Sequence, residues 1–387
     1  MAFTVLGLTI AFSFVGCGND NSGKNQEPNS DLDDLSQSKT RVFSFIDVSA
    51  DMKGLYNGKS NNGFTTDVWS FLSSLRNNYG TDSITLLYEK NPKSVDIVHF
   101  NEKMNKGDIS LFSDQNTYLP EMIKSMKQLC DNDSTVAILI SNMKYSPDGK
   151  SEPEKQKKLS QYKTNISNVL NGDCAVCLVS AVSDCKTCER SPYYYLIIGA
   201  PDRVSEVRNA VVKCLKENNA YVETVESNVS YGQCLKARCV EHKSVTQPDT
   251  NVLRFCNYNA KVSKTLPIKL DIKLDKYPPF LWNADTIRTY LDVNTSDFAK
   301  CDITDVDVKG NTATVCLDAR DLNDKSQTFT LKLGGFNPSL PRGVEEFYGA
   351  KAENECDKTI SIESFIGAIA DDRTIESIIE ITITKDK

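Results

Sequence analysis

Histidine is nearly missing from this chain: 387 residues contain only two, His99 and His242. That inventory excludes a His-rich metal centre and any mechanism that needs several imidazole bases. Positive charge is also in short supply. Lys and Arg number 45 against 52 Asp and Glu, for a net charge of −7. No Lys/Arg-dense stripe stands out, which argues against a nucleic-acid partner. Long apolar runs are absent after residue 17, so nothing there approaches the roughly 20 residues of a membrane-spanning helix, and a polytopic membrane protein is excluded. No GxSxG, HExxH or P-loop pattern occurs. The remainder is an ordinary globular mixture, 40% hydrophobic and 25% charged, at a length that suits two or three domains.

The first residues read as an address. FTVLGLTIAFSFVG, residues 3–16, is apolar and ends at Cys17. It is short for a span and right for a signal-peptide core. Phe14-Val15-Gly16-Cys17 resembles a bacterial lipobox, which implies cleavage before Cys17 and lipidation of its thiol. A basic segment ahead of the apolar run is missing, a departure from that pattern. The alternative is an uncleaved anchor helix, and both readings place residues 41–387 outside the cytoplasm. Residues 18–40 are too polar to bury a core and read as a disordered tether. Asp20, Asp31, Asp33 and Asp34 resemble the surface-export signals of Bacteroidetes lipoproteins.

There are 13 cysteines, and an oxidising envelope permits disulfides. Cys174-x2-Cys177-x7-Cys185-x2-Cys188 has the pairing of a zinc site. The first pair, however, lies in an apolar run that reads as a strand, where residues three apart face opposite ways. Zinc, local disulfides and inert buried thiols remain the alternatives.

Apolar strand-like runs at 41–46, 83–88, 135–140, 175–182 and 193–198 alternate with helical periodicity at 64–78, 118–129, 152–170 and 203–217. This alternation predicts an α/β domain over 41–248 with an open, doubly wound, mostly parallel sheet. Period-two alternation dominates 249–387, with a hairpin signal at Gly310-Asn311 and short helices at 284–290 and 362–370. This half reads as an antiparallel β-sandwich-like, Ig-like domain. Tyr193-Tyr194-Tyr195 reads as strand packing, and His99, in VDIVHF, as a packed strand or core residue.

In an open α/β sheet, ligands bind beyond the carboxyl ends of the strands. The first strand ends in Asp47-Val-Ser49-Ala-Asp51, Thr117 lies in the connection that opens the 118–129 helix, and TVAILI ends in Ser141-Asn142. This order resembles the von Willebrand factor type A domain, whose metal-ion-dependent adhesion site follows an Asp-x-Ser-x-Ser strand end. The resemblance covers about half of the chain. It implies a Rossmann-like doubly wound sheet and an oxygen-donor divalent-cation site built from Asp47, Ser49, Asp51, Thr117 and Asn142. Such donors suit Mg²⁺ or Ca²⁺ rather than zinc. Asp51 stands where the family has Ser and Asn142 where it has Asp, so the summed charge is kept and the site is atypical. The tail from Thr328 to Ile369 resembles that of Bacteroidetes envelope proteins that follow a type A domain.

The expectation is therefore an envelope lipoprotein, not an enzyme, that is held on the outer membrane by its lipid and captures an unidentified protein partner. The alternative is a scaffold protein with a degenerate metal site. A haloacid-dehalogenase-like phosphatase with Asp47 as nucleophile fits less well, because Ser49 stands where that family needs a second Asp. Asp47, Ser49 and Thr117 can also serve simply as turn and helix caps.

Overall fold

The computed structural model describes residues 40–56, 63–87, 92–112, 119–130, 134–145, 151–170, 174–185, 189–231, 236–240, 245–249, 251–258, 265–295, 299–322, 326–349 and 356–385. Cys17, Thr117, Cys188 and His242 lie outside them.

The first half alternates as its apolar pattern requires: β1 (Arg41–Asp47), α1 (Met52–Tyr56), α2 (Gly63–Tyr79), β2 (Ser83–Leu87), β3 (Lys93–Asp96), α3 (Ile97–Asn105), α4 (Leu119–Leu129), β4 (Thr135–Ser141), α5 (Glu152–Leu170), β5 (Ala175–Ser183), β6 (Ser191–Gly199), α6 (Pro201–Glu217) and β7 (Tyr221–Ser227). Together the strands make a seven-stranded sheet in the order β3-β2-β1-β4-β6-β5-β7. Both faces are covered, which is why β4 is buried at every position and reads as one unbroken apolar run. Ile46, Ile138 and Tyr195 belong to one buried cluster together with residues of α2, α3 and α6. Phe45, Leu139 and Tyr194 belong to another, together with residues of α4 and α5.

The sheet is mixed, not mostly parallel. Only β1 with β2 and β1 with β4 run parallel. β6 pairs antiparallel with both β4 and β5, lying between them. The cause is the short link 184–190, which allows a hairpin but not the crossover of a dozen or more residues that parallel neighbours need. A second difference concerns VDIVHF. Asp96 caps a helix there by accepting the His99 amide, and His99 is exposed on α3 rather than packed in a strand.

The second half contributes β8 (Lys236–Cys239), β9 (Val245–Asp249), β10 (Val252–Tyr258), β11 (Leu266–Lys273), α7 (Ala284–Tyr290), β12 (Leu291–Thr295), β13 (Lys300–Lys309), β14 (Thr312–Arg320), β15 (Gln327–Phe336), β16 (Tyr348–Gly349), β17 (Thr359–Ile360), α8 (Ile362–Ile369) and β18 (Ile375–Lys385). A five-stranded sheet, β12-β15-β18-β10-β9, and a four-stranded one, β13-β14-β11-β8, contribute alternate residues to one core, the arrangement of a sandwich. Gly310 and Asn311 join β13 to β14, with Gly310 at φ 61°. β10 and β18 are a parallel pair within the five-stranded sheet, and β16 and β17 form a separate parallel two-stranded sheet. The chain enters the sandwich at Lys236, and the expected boundary at 248/249 falls at the edge of β9. Residues 39–387 form one compact unit, and a single apolar cluster runs from Val42 in β1 to Ile383 in β18.

Candidate functional site

β1 and β4 lie side by side with Ile46 opposite Ile140, so the residues that follow them meet at the carboxyl edge of the sheet. Asp47 is fully buried there. Its Oδ1 accepts the Ser49 amide at 2.9 Å and its Oδ2 accepts the Ser141 hydroxyl at 2.9 Å. Ser141 Oγ in turn accepts the Met143 amide at 2.9 Å. One hydroxyl thus links the carboxylate to the turn that leaves β4.

The turn 141–143 is constrained. Met143 is buried and takes φ 54°, in the left-handed region that costs a non-glycine residue about 1 kcal/mol. Asn142 is buried as well. Its amide points to Met52 Sδ at 3.2 Å, and its Oδ1 accepts the Lys144 amide at 3.2 Å. Met52 opens α1, so the connections after β1 and β4 touch.

Ser49 stands apart within this cluster. It is 2% exposed, and its Oγ has no hydrogen-bond partner among the described residues. Burying a hydroxyl without a partner costs roughly 1–3 kcal/mol. A group that expensive points to a missing ligand or to a small residue needed for packing.

Of the residues expected to form a site, Asp47, Ser49 and Asn142 are brought to one edge. Asp51 occupies an exposed turn ahead of α1, and Thr117 lies outside the described residues. The charge compensation expected between positions 51 and 142 therefore does not occur within this buried cluster, where Asp47 brings a carboxylate and Asn142 a neutral amide. Ser141, readable as a strand-end residue, was not among the expected site residues, yet it bonds Asp47 directly. Its signal was available, since it is the last residue of a buried strand adjacent to the strand that ends at Asp47. Thr359, more than 200 residues away, also reaches this turn, its Oγ1 lying 3.4 Å from the Asn142 carbonyl oxygen. No local pattern could have shown that.

The Asp47 and Ser141 oxygens meet at this edge and Ser49 follows two residues after Asp47; oxygen groups of this kind suit a hard divalent cation. Among the described residues, no group of three or more His, Cys, Asp or Glu is arranged to hold a metal ion. Cys174 and Cys177 fall in different apolar clusters on opposite faces of the sheet, so this pair does not converge on a shared metal. At the opposite end of the sheet a cleft of about 260 Å³ is lined by Cys174, Asn228, Asp371 and Arg373. Its carboxylate is already occupied: Asp371 Oδ2 accepts from Arg373, Ser227 and the Asn228 amide. Comparison with known proteins finds no matching family model, no matching curated protein and no matching solved structure.

Proposed function

We propose that this protein is a binding module of the bacterial cell envelope that captures a protein partner through a divalent cation, Mg²⁺ or Ca²⁺, at the Asp47 edge of the sheet. The observation that carries this reading is the Ser49 hydroxyl, buried and without a hydrogen-bond partner among the described residues beside a buried carboxylate. Asp47, Ser49 and Ser141 would hold the cation, which would offer an open coordination position to an acidic group of the partner. This is capture rather than catalysis. Lipidation of Cys17 would tether the module to the outer membrane through residues 18–40. The likeness to type A domains, carried by Asp47, Ser49 and Asn142, supports the same reading.

A second reading has its own observation. Both Asp47 oxygens and the Asn142 Oδ1 already accept hydrogen bonds from the protein. That satisfaction suits a scaffold protein whose acidic strand end only ties β1 to β4.

Thermal unfolding of the full chain separates the two. Melts in EDTA are compared with melts in millimolar Mg²⁺, Mn²⁺ or Ca²⁺, for wild type and Asp47→Ala. A cation at 100 times its dissociation constant stabilises by about 2.7 kcal/mol. A rise in Tm that disappears in Asp47→Ala is the expected result. No rise with any of the three ions overturns the cation reading and leaves the scaffold.

A further inference from the structure

The chain leaves the sandwich after Phe336 and re-enters it at Ile375, and these two residues face each other across the β15–β18 pair. Residues 337–374 are thus an excursion from one hairpin. Val344, Phe347, Ile362, Phe365 and Ile366 bury into the cluster beneath α4 and α5, on the far face of the seven-stranded sheet. The excursion is rooted at the end of β7: the Glu226 amide donates to the Pro338 carbonyl at 3.0 Å, and Ser339 Oγ donates to the Glu226 carbonyl at 2.8 Å.

Its far end reaches the turn after β4. The Tyr145 amide donates to the Ile360 carbonyl at 3.3 Å, and Ser361 Oγ donates to the Tyr145 carbonyl at 2.8 Å. Thr359 Oγ1 donates to the Asn142 carbonyl at 3.4 Å and accepts the Tyr194 hydroxyl at 3.1 Å. Thr359 and Tyr194 are both fully buried, so this hydroxyl is a fixed point. The turn it touches holds Met143 at φ 54°, a conformation that persists only where the surroundings impose it. Two further bonds of the turn are local, Ser141 Oγ to the Met143 amide and Asn142 Oδ1 to the Lys144 amide, and two tie it to the β1 side, the Asn142 amide to Met52 Sδ and Ser141 Oγ to Asp47; Thr359 holds it from the opposite side.

We infer that Thr359 is a positioning residue for the Asp47 site: its hydroxyl fixes the Asn142 carbonyl, and through it the 141–143 turn, so that the excursion 337–374 ties the sandwich to the edge where the cation would bind. The effect on the cation rests on the binding reading above, whereas the hold on the turn does not. Ser141 transmits it, because the same hydroxyl bonds both Asp47 and Met143.

The test uses the full chain as Thr359→Val, which keeps the shape and loses the hydroxyl, and Thr359→Ser, which restores it. Amide hydrogen exchange is followed in EDTA at residues 142–145. Loss of the bond should speed exchange there about five- to tenfold in Thr359→Val, with sandwich peptides unchanged and Thr359→Ser close to wild type. Ser361→Ala, which removes the 2.8 Å bond to the Tyr145 carbonyl at the same junction, should act in the same direction. The Mn²⁺ concentration giving half the thermal shift should rise several-fold in Thr359→Val. Unchanged exchange at 142–145 overturns the inference. So does an unchanged Mn²⁺ midpoint in a protein whose wild type responds to Mn²⁺. Faster exchange in a protein that never responds to Mn²⁺ supports the hold on the turn and removes the cation reading instead.

Discussion

Arg208 Nη1 lies 2.7 Å from Glu226 Oε1, and both side chains are completely shielded from solvent. The pair joins α6 to β7 and is completed from two sides. Tyr231 donates its hydroxyl to Glu226 Oε2 at 2.6 Å, and Arg208 Nη2 donates to the Asp275 carbonyl at 3.0 Å. Asp275 follows β11 of the sandwich, so the ion pair sits where the two halves of the molecule meet. Cutting one partner strands a buried charge. Arg208→Met alone should therefore lower stability by about 3–5 kcal/mol. Arg208→Met combined with Glu226→Leu should cost clearly less than the sum of the single changes. Urea denaturation of the four proteins measures the coupling.

Asp67 on α2 is fully buried, accepts the Tyr193 hydroxyl, and accepts Asn218 Nδ2 at 2.6 Å. Burial is the main cause that pushes its carboxyl from the ordinary 3.8 up to about 6, against the two hydrogen bonds, which pull it down. Between those values the native state keeps a proton that the unfolded chain has released. Stability therefore falls as pH rises through this window, by up to about 3 kcal/mol. The stabilisation is complete below about pH 4 and gone above about pH 6. Asp67→Asn should flatten that slope. Unfolding free energies measured from pH 4 to 7 check it, and an equal slope in both proteins would refute the assignment.

Ser141 and Ser49 stand at the same strand ends and should respond oppositely to removal of the hydroxyl. Ser141→Ala leaves Asp47 Oδ2 and the Met143 amide each short of a bond, a loss of about 1–3 kcal/mol. Ser49→Ala removes an oxygen with no hydrogen-bond partner among the described residues, so in EDTA it should be neutral or slightly stabilising. Any stabilisation by Mg²⁺, Mn²⁺ or Ca²⁺ should be weakened in Ser49→Ala. Denaturant titrations with and without cation read both effects.

The thiols should divide by environment. Burial raises Cys177 well above the usual thiol range and pushes Cys214 up to about 11. Thiolate is the reactive form, so iodoacetamide at pH 8 should spare both in the native protein while modifying the half-exposed Cys256 and Cys316. Mass spectrometry of the labelled peptides decides it.

The helices were readable because their apolar spacing is regular. Val68, Phe71, Leu72 and Leu75 lie on one face, and α2 buries all four. α5 and α7 begin and end where periodicity places them. The Gly-Asn step after Val308 and Lys309 marked its hairpin because a tight turn needs φ above zero. Strand direction was harder to read. AVCLVSAVS and YYYLII are equally apolar in either orientation, and only the length of the link between them reports that they pair as a hairpin. The short helix at 362–370 was readable, but not that its Ile362, Phe365, Ile366 and Ile369 would be buried against α5 of the other half. At the site, Asp47 and Ser49 were readable as strand-end groups. The exposure of Asp51 and the arrival of Thr359 depend on the tertiary path alone.

The insertion of β6 between β4 and β5 makes one edge of β4 depend on a later part of the chain. β4 pairs with β1 through Thr135–Ile140, but its other edge pairs with Tyr194–Gly199, more than fifty residues later in the chain. In the interval, a strand made wholly of apolar and small side chains presents unpaired amides and carbonyls, the template from which edge-to-edge aggregates grow. That edge is closed by β6, the later arm of the β5–β6 hairpin. A chain emerging N-terminus first thus passes through a vulnerable stage. Slowing it there, by lengthening the 184–190 link for example, would show up as lost soluble yield before any loss of final stability.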